Sequence, residues 1–127
     1  MPVDSFRLSK RGKDQLIALK RRTGLEQWNV LCRWAFCVSL MEPSTPRDDR
    51  IPSDSNVEMT WRTFAGDNAD VYLSLLRQRC LLDGHELTDA NLMKVFRLHV
   101  HRGIGYLIGD RAVDSIAGLV ALVDRKG

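Results

Sequence analysis

Cysteine, histidine and aromatic residues are scarce in this chain, and no apolar run is long. Cys32, Cys37 and Cys80 are odd in number and form no Cys-x-x-Cys pair. That pattern excludes a disulfide framework and fits reduced thiols in a cytoplasmic protein. The apolar stretch 28–41 is too short to span a bilayer and contains Arg33, so no membrane partner is expected. The opening Met-Pro-Val-Asp-Ser lacks the apolar core of a signal peptide. His99 and His101 stand two apart, whereas a helical zinc pair needs a spacing of four. One packed and one exposed histidine is the expectation, and no metal. Gly103-Ile-Gly-Tyr is not a dinucleotide loop, because Ile108 fills the last glycine position. No nucleophile has a base at a recognisable spacing. The expected inventory is therefore no catalytic residue, no cofactor and no metal.

What the chain does have is an uneven distribution of charge. Its 127 residues carry a net charge of only +3. Yet residues 1–34 hold eight Lys or Arg against three acidic residues, while 35–60 hold two against five. A local basic excess points to a polyanion met by one face. Arg7, Lys10, Arg11, Lys13, Lys20, Arg21 and Arg22 are the candidate phosphate contacts. A solvated helix face is the plainer reading of the same run. No aromatic residue is interleaved with these charges, so stacking on single-stranded bases is not indicated there. Arg102, near a helix end, is a further possible phosphate contact.

The length suits one domain, 1–127. Ser5–Ser9 alternates with a period of two, with Phe6 and Leu8 on one face, and predicts a short strand. Ser9 is a good N-cap for a helix from about Lys10 to Thr23, and Gly24 a good terminator. Gly12 weakens the first turn by about 1 kcal/mol relative to Ala. Residues 25–41 form a helix that is apolar all round and must be covered on every side. A limited chain suggests that other subunits supply the cover, through Trp28, Leu31, Trp34 or Val38. Arg33 needs a carboxylate or carbonyl partner there. Residues 42–56 contain Pro43, Pro46 and Pro52 and read as a Pro-rich loop or linker. Residues 57–61 alternate like a strand, but Trp61 and Phe64 are spaced as one helical turn; the pattern leaves both open.

Asp67 or Asn68 can start a helix ending at Gly84, with Val71, Tyr72, Leu75, Leu76 and Cys80 inward. Thr88 or Asp89 starts another with Leu92, Met93, Phe96 and Val100 inward. Gly103 and Gly105 weaken its end, although the pattern can continue to Ile108. Val113, Ile116, Ala117 and Val120 stripe a last helix. The fold class is mainly α, with at most two short strands in 1–127 and a helical remainder over 57–127. The order strand, basic helix, glycine turn, apolar helix in 1–41 resembles a ribbon-helix-helix module of the Arc and Met repressor kind.

Four blocks carry a second resemblance that spans nearly the whole chain in order. They are Phe6-Arg-Leu-Ser-Lys-Arg-Gly-Lys-Asp-Gln-Leu16, Trp28-Asn-Val-Leu-Cys-Arg-Trp-Ala35, Asp54-Ser-Asn-Val-Glu-Met-Thr-Trp61 and Phe96-Arg-Leu-His-Val-His-Arg-Gly-Ile-Gly-Tyr106. The chain resembles the DndE family of bacterial DNA phosphorothioation (DNA sulfur modification) systems. The resemblance implies a non-enzymatic protein that binds double-stranded DNA, nicked duplex preferred. It also implies a homotetramer working with the other proteins of that system. Phosphate binding then falls to the lysines and arginines of the first helix region. The residues also admit a ribbon-helix-helix transcriptional regulator, or an assembly subunit meeting acidic protein partners. Because such a system handles sulfur, the thiols are candidates for chemistry. Cys32 and Cys37 sit on apolar ground, and Cys80, near Arg77 and Arg79, is the least poor of the three.

Overall fold

Four phenylalanines hold the protein together. The chain has four in all, and each comes from a different element. The computed structural model describes residues 3–110 and 113–126. In chain order these form β1 (Ser5–Arg7), α1 (Lys10–Thr23), α2 (Trp28–Met41), β2 (Glu58–Thr60), α3 (Trp61–Ala65), α4 (Ala69–Leu82), α5 (Asp89–Gly109) and α6 (Ile116–Lys126). Phe6 of β1, Phe36 of α2, Phe64 of α3 and Phe96 of α5 are all essentially buried. Phe6 and Phe64 meet Phe96 edge-on, with centroids 4.7 and 4.8 Å apart. Phe36 meets Phe64 at 5.8 Å. Edge-to-face geometry adds to the burial of each ring.

Around this cluster α5 is the central element, packed on α2, α1 and α4. Its closest approach is at Gly103, where a Cβ would overlap the Ala35 carbonyl of α2. Only glycine lets the two backbones lie that close. Its sequence position suggests a weakened helix end, yet α5 runs unbroken to Gly109.

The first helix forms as its sequence predicts. The Ser9 side chain accepts the Gly12 N–H at 3.0 Å. Gly24 closes the helix in the left-handed conformation, φ 76°, its N–H bonded to the Lys20 carbonyl. Gly12, Leu16, Leu19 and Thr23 form the buried stripe. Gly12 has a packing role: a Cβ there would press on the His101 ring at 3.2 Å.

The architecture is mainly helical with a two-stranded antiparallel sheet. Phe6 pairs with Met59 across that sheet. The ribbon-helix-helix module is met in element order, but in such modules the ribbon pairs two chains. Here β1 pairs with β2 of its own chain, because Phe6 and Met59 share one buried core. The ambiguity at 57–64 resolves as both readings in succession: a strand to Thr60, then a helix from Trp61 whose N-cap is Thr60.

Three helix faces differ in part from expectation. In α2, Leu31 and Val38 are buried by the chain itself, on the side that α3 and α5 cover, while Trp28 and Trp34 are only partly covered. In α6, Leu119 and Leu122 turn inward while Ile116 and Val120 are 53% and 54% exposed. Val71 of α4 also faces outward. Arg33 has the carbonyl partner its burial demands, donating to Phe64 O at 2.8 Å.

Residues 42–56 are no free linker. They form an irregular strap laid over α5, and arginines pin it. Arg79 donates to the carbonyls of Leu40, Glu42 and Ser44. Arg102 donates to those of Ser39 and Ser44. Arg97 donates to Ile51 and Pro52, and to Arg7 of β1. A segment without strand or helix needs partners for its buried carbonyls, and guanidinium groups supply them here.

Candidate nucleic-acid interface

The seven expected phosphate contacts fall into two groups. Arg7 bonds Glu58 at 2.9 Å and the Ser55 carbonyl at 2.8 Å. Lys13 bonds Asn56 at 2.6 Å. Lys20 lies over the Trp28 ring, 3.5 Å from its centroid. Arg22 reaches the Ile108 carbonyl at 2.9 Å. These four tie α1 and β1 to the rest of the chain. Lys10, Arg11 and Arg21 are exposed, and their side chains make no ion pair or hydrogen bond among the described residues. At 100° per residue Lys10, Arg11, Arg21 and Arg22 share one side of α1. Lys10, Arg11, Asp14, Gln15, Ala18 and Arg22 line a shallow groove there, completed by Ile108 of α5. A guanidinium or ammonium that faces water with no internal partner is free to neutralise a phosphate.

Two further arginines join this face from the strap. Arg47 and Arg50 line a cleft of about 590 Å³ together with Arg11. Sequence reasoning misses them because residues 35–60 count as net acidic. The signal lies in the fold, which carries the strap across to α1. Arg102 is engaged within the chain: its Nε donates to Ser39 Oγ at 2.9 Å and its Nη groups to the carbonyls of Ser39 and Ser44.

Beneath the strap is a polar relay that the sequence does not announce. Ser39 Oγ lies 2.8 Å from His99 Nδ1, and His99 Nε2 lies 2.8 Å from Asp83 Oδ2. Arg79 Nε donates to the other Asp83 oxygen at 2.9 Å. The order serine, histidine, aspartate resembles a hydrolase triad, but Ser39 and His99 are fully buried. Ser39 Oγ also accepts the Arg102 Nε–H. Its hydroxyl then donates to Nδ1, and the imidazole Nε2–H donates to Asp83, which is the pattern of a neutral histidine. Burial pushes the His99 pKa below its ordinary value, against the opposing pull of Asp83. Burial alone would raise the Asp83 carboxyl, but hydrogen bonds from His99 and Arg79 hold it below the usual carboxylate range. The group fastens α2, α4 and α5 and leaves no oxygen open to a substrate.

His101 is half-buried rather than exposed. Its Nδ1 donates to the Arg97 carbonyl at 2.8 Å and its Nε2 accepts the Ser9 N–H at 3.1 Å. Burial lowers its pKa too. With both nitrogens of both histidines engaged, neither offers a lone pair to a metal. The thiols are also quiet. Burial pushes Cys32 up to about 12 and raises Cys37. Cys80, the least poor candidate, is buried and raised as well, first by burial and then by Asp83.

Fold and surface together define a small, mainly helical protein with a pinned strap and one outward-facing basic helix. The chain belongs to the DndE family: the family of DNA sulphur modification proteins DndE matches residues 5–115. Solved structures agree. One is DndE from Escherichia coli B7A, "involved in DNA phosphorothioation modification", with TM-score 0.70 and 27% identity over 84% of this chain and 98% of that one. A DndE G21/24K mutant gives TM-score 0.62 and 24% identity over 82% and 95%. Curated protein sequences give no match. No helix among the described residues is long and apolar enough to cross a membrane.

Proposed function

We propose that this protein is a non-enzymatic DNA-binding subunit of DNA phosphorothioation in the cytoplasm. It holds the phosphates of double-stranded DNA, nicked duplex preferred, for the other proteins of the system. The observation that carries the reading is the set Lys10, Arg11 and Arg21, without partners among the described residues, on one face of α1 in a chain of this family. A homotetramer is part of the proposal. Val30, Trp34, Cys37 and Met41 recur at helical spacing along α2 and are only partly covered, a stripe that a second copy can finish. The absence of an enzymatic role is supported by the sealed serine and the raised thiols.

The test is titration of unrelated duplexes across a salt series. For a site of about five phosphates, log affinity should fall against log salt with a slope of roughly −4 to −5. The triple variant Lys10→Ala, Arg11→Ala, Arg21→Ala should weaken all duplexes alike. Weakening confined to one operator sequence would favour the ribbon-helix-helix regulator, a reading that must also explain a strand already paired within its chain. No duplex binding, with retained binding to an acidic partner protein, would favour the assembly subunit. Replacing Cys32, Cys37 and Cys80 by Ser should leave sulfur modification in cells intact in the folded fraction. Loss of modification with folding and DNA binding preserved would instead make a thiol the sulfur carrier.

A further inference from the structure

The cleft between α1, the strap and α5 has the dimensions of a ligand site. Its volume of about 590 Å³ lies within the roughly 300–1,000 Å³ of small-molecule pockets. Cations from two separate segments ring it: Arg11 from α1, Arg47 and Arg50 from the strap. Arg11 and Arg50 have no ion pair among the described residues, and Arg47 has only a loose one, 3.9 Å from Asp49. The other acid of the cleft, Asp54, is engaged by the Lys10 N–H at 2.7 Å. Ile51 and the Tyr106 ring add apolar surface. Arg102 lies 5.6 Å from the centre of that ring and steadies it.

Gly105 makes the cleft deeper than packing requires. It sits inside α5 without positive φ. A Cβ built there would meet nothing within 4 Å, in contrast to Gly103. Glycine inside a helix weakens it relative to alanine. Neither strain nor close approach calls for glycine at this position. What its missing side chain leaves is open space in the cleft wall.

We infer that the cleft takes one unstacked nucleotide of a DNA strand, its base against Tyr106 and Ile51 and its phosphate on Arg11 and Arg50. The inference rests on the phosphate-binding reading of α1. The groove on α1 and the cleft share Arg11 and Gln15, so a strand lying on one reaches the other. Arginine forks match phosphate oxygens, and a base face stacks on an aromatic ring whatever its sequence. A continuous duplex offers phosphates but keeps its bases stacked, so it engages α1 alone. An unpaired nucleotide engages both.

The experiment compares a duplex carrying one unpaired 2-aminopurine nucleotide with the same duplex fully paired. Anisotropy reads affinity, and 2-aminopurine emission reads the environment of the base. The intact protein should bind the first duplex roughly tenfold tighter or more, with a change in emission. Gly105→Leu fills the cleft and should abolish that advantage and the emission change. It should leave affinity for the paired duplex within about twofold and the thermal midpoint unlowered. Arg50→Ala, on the exposed strap, should reduce the same advantage and covers the case in which the leucine variant does not fold. Equal affinity for the two duplexes and unchanged emission in the intact protein would overturn this inference and leave the α1 reading standing. Binding to neither duplex would overturn the DNA reading itself. If free dAMP competes as well as the unpaired strand does, the cleft is a free-nucleotide site and the assignment to DNA is overturned.

Discussion

Arg11 and Arg21 of α1 and the trio Arg79, Arg97 and Arg102 of α4 and α5 are the same residue in opposite situations. Arg11 and Arg21 face water with no ion pair or hydrogen bond among the described residues. Arg79, Arg97 and Arg102 lie under the strap, with carbonyl oxygens opposite their Nη–H groups. What separates the two regions is the nearest acceptor. A strap without regular structure needs donors, and the inward arginines supply them to the carbonyls of Glu42, Ser44, Ile51 and Pro52. The outward ones have no such duty, which leaves their charge available to a partner. Counting positive charge along the sequence does not separate these uses, because it weights Arg79 and Arg21 equally.

Removing one arginine from each region should have different effects. Arg79→Ala should be the most damaging. It strips a buried carboxylate of a 2.9 Å partner and removes a donor from the carbonyls of Leu40, Glu42 and Ser44, of which Ser44 keeps Arg102, a cost of about 3–5 kcal/mol, a large part of a typical domain's stability. Urea unfolding measures it, and a loss under about 1 kcal/mol, the size of an ordinary substitution, would erase the proposed division. Arg97→Ala should cost less, about 1–3 kcal/mol for the strap carbonyls left unpaired. It should also open the strap to trypsin at Arg47 and Arg50, read as a faster first cut under native conditions.

A milder perturbation is acid. His99 and His101 both have folded pKa values below the ordinary 6.5, so the unfolded chain takes up protons first. Stability is therefore full above about pH 6.5 and declines as pH falls below it, by up to about 1.4 kcal/mol per pH unit for each histidine. Asp83, whose folded value is also lowered, extends the decline through the carboxylate range. Urea midpoints between about pH 7.5 and 5.5 test this; a flat profile would mean that both rings accept protons in the folded state. The smallest change in stability belongs to α1. Lys10→Ala, Arg11→Ala and Arg21→Ala should each shift unfolding by no more than about 0.5 kcal/mol. The combined variant should nevertheless make the salt slope of DNA binding shallower, by roughly 1 for each phosphate that is no longer neutralised. If these substitutions unfold the protein, the two regions are not distinct.

Local signals wrote much of this fold. Ser9, Gly24 and the spacing of Leu16 and Leu19 mark α1, and Thr88 marks the start of α5. Those features depend on neighbours in sequence. The strap is legible only as a stretch with three prolines, because its order comes from donors on distant helices. The face of α6 is ambiguous in sequence because Leu119 and Leu122 compete with Ile116 and Val120 for the inward side, and only the position of the rest of the chain decides between them. The candidate site is half legible. A local charge excess points to α1, but which cations remain free depends on Glu58, Asn56, Trp28 and Ile108, each supplied by another element. Arg47 and Arg50 are hidden by the acidic residues beside them.

The bond from the Ser9 N–H to His101 Nε2 joins residues 92 positions apart, and Arg97 reaches the Arg7 carbonyl over 90. A chain made from its N-terminus produces the basic helix before α5. Those two anchors form only after α5 has been synthesised and docked. Contacts this distant in sequence close slowly. Until then the cations of α1 belong to an incompletely anchored segment that can meet any polyanion near the ribosome, and the positions that complete its anchoring are Arg97 and His101.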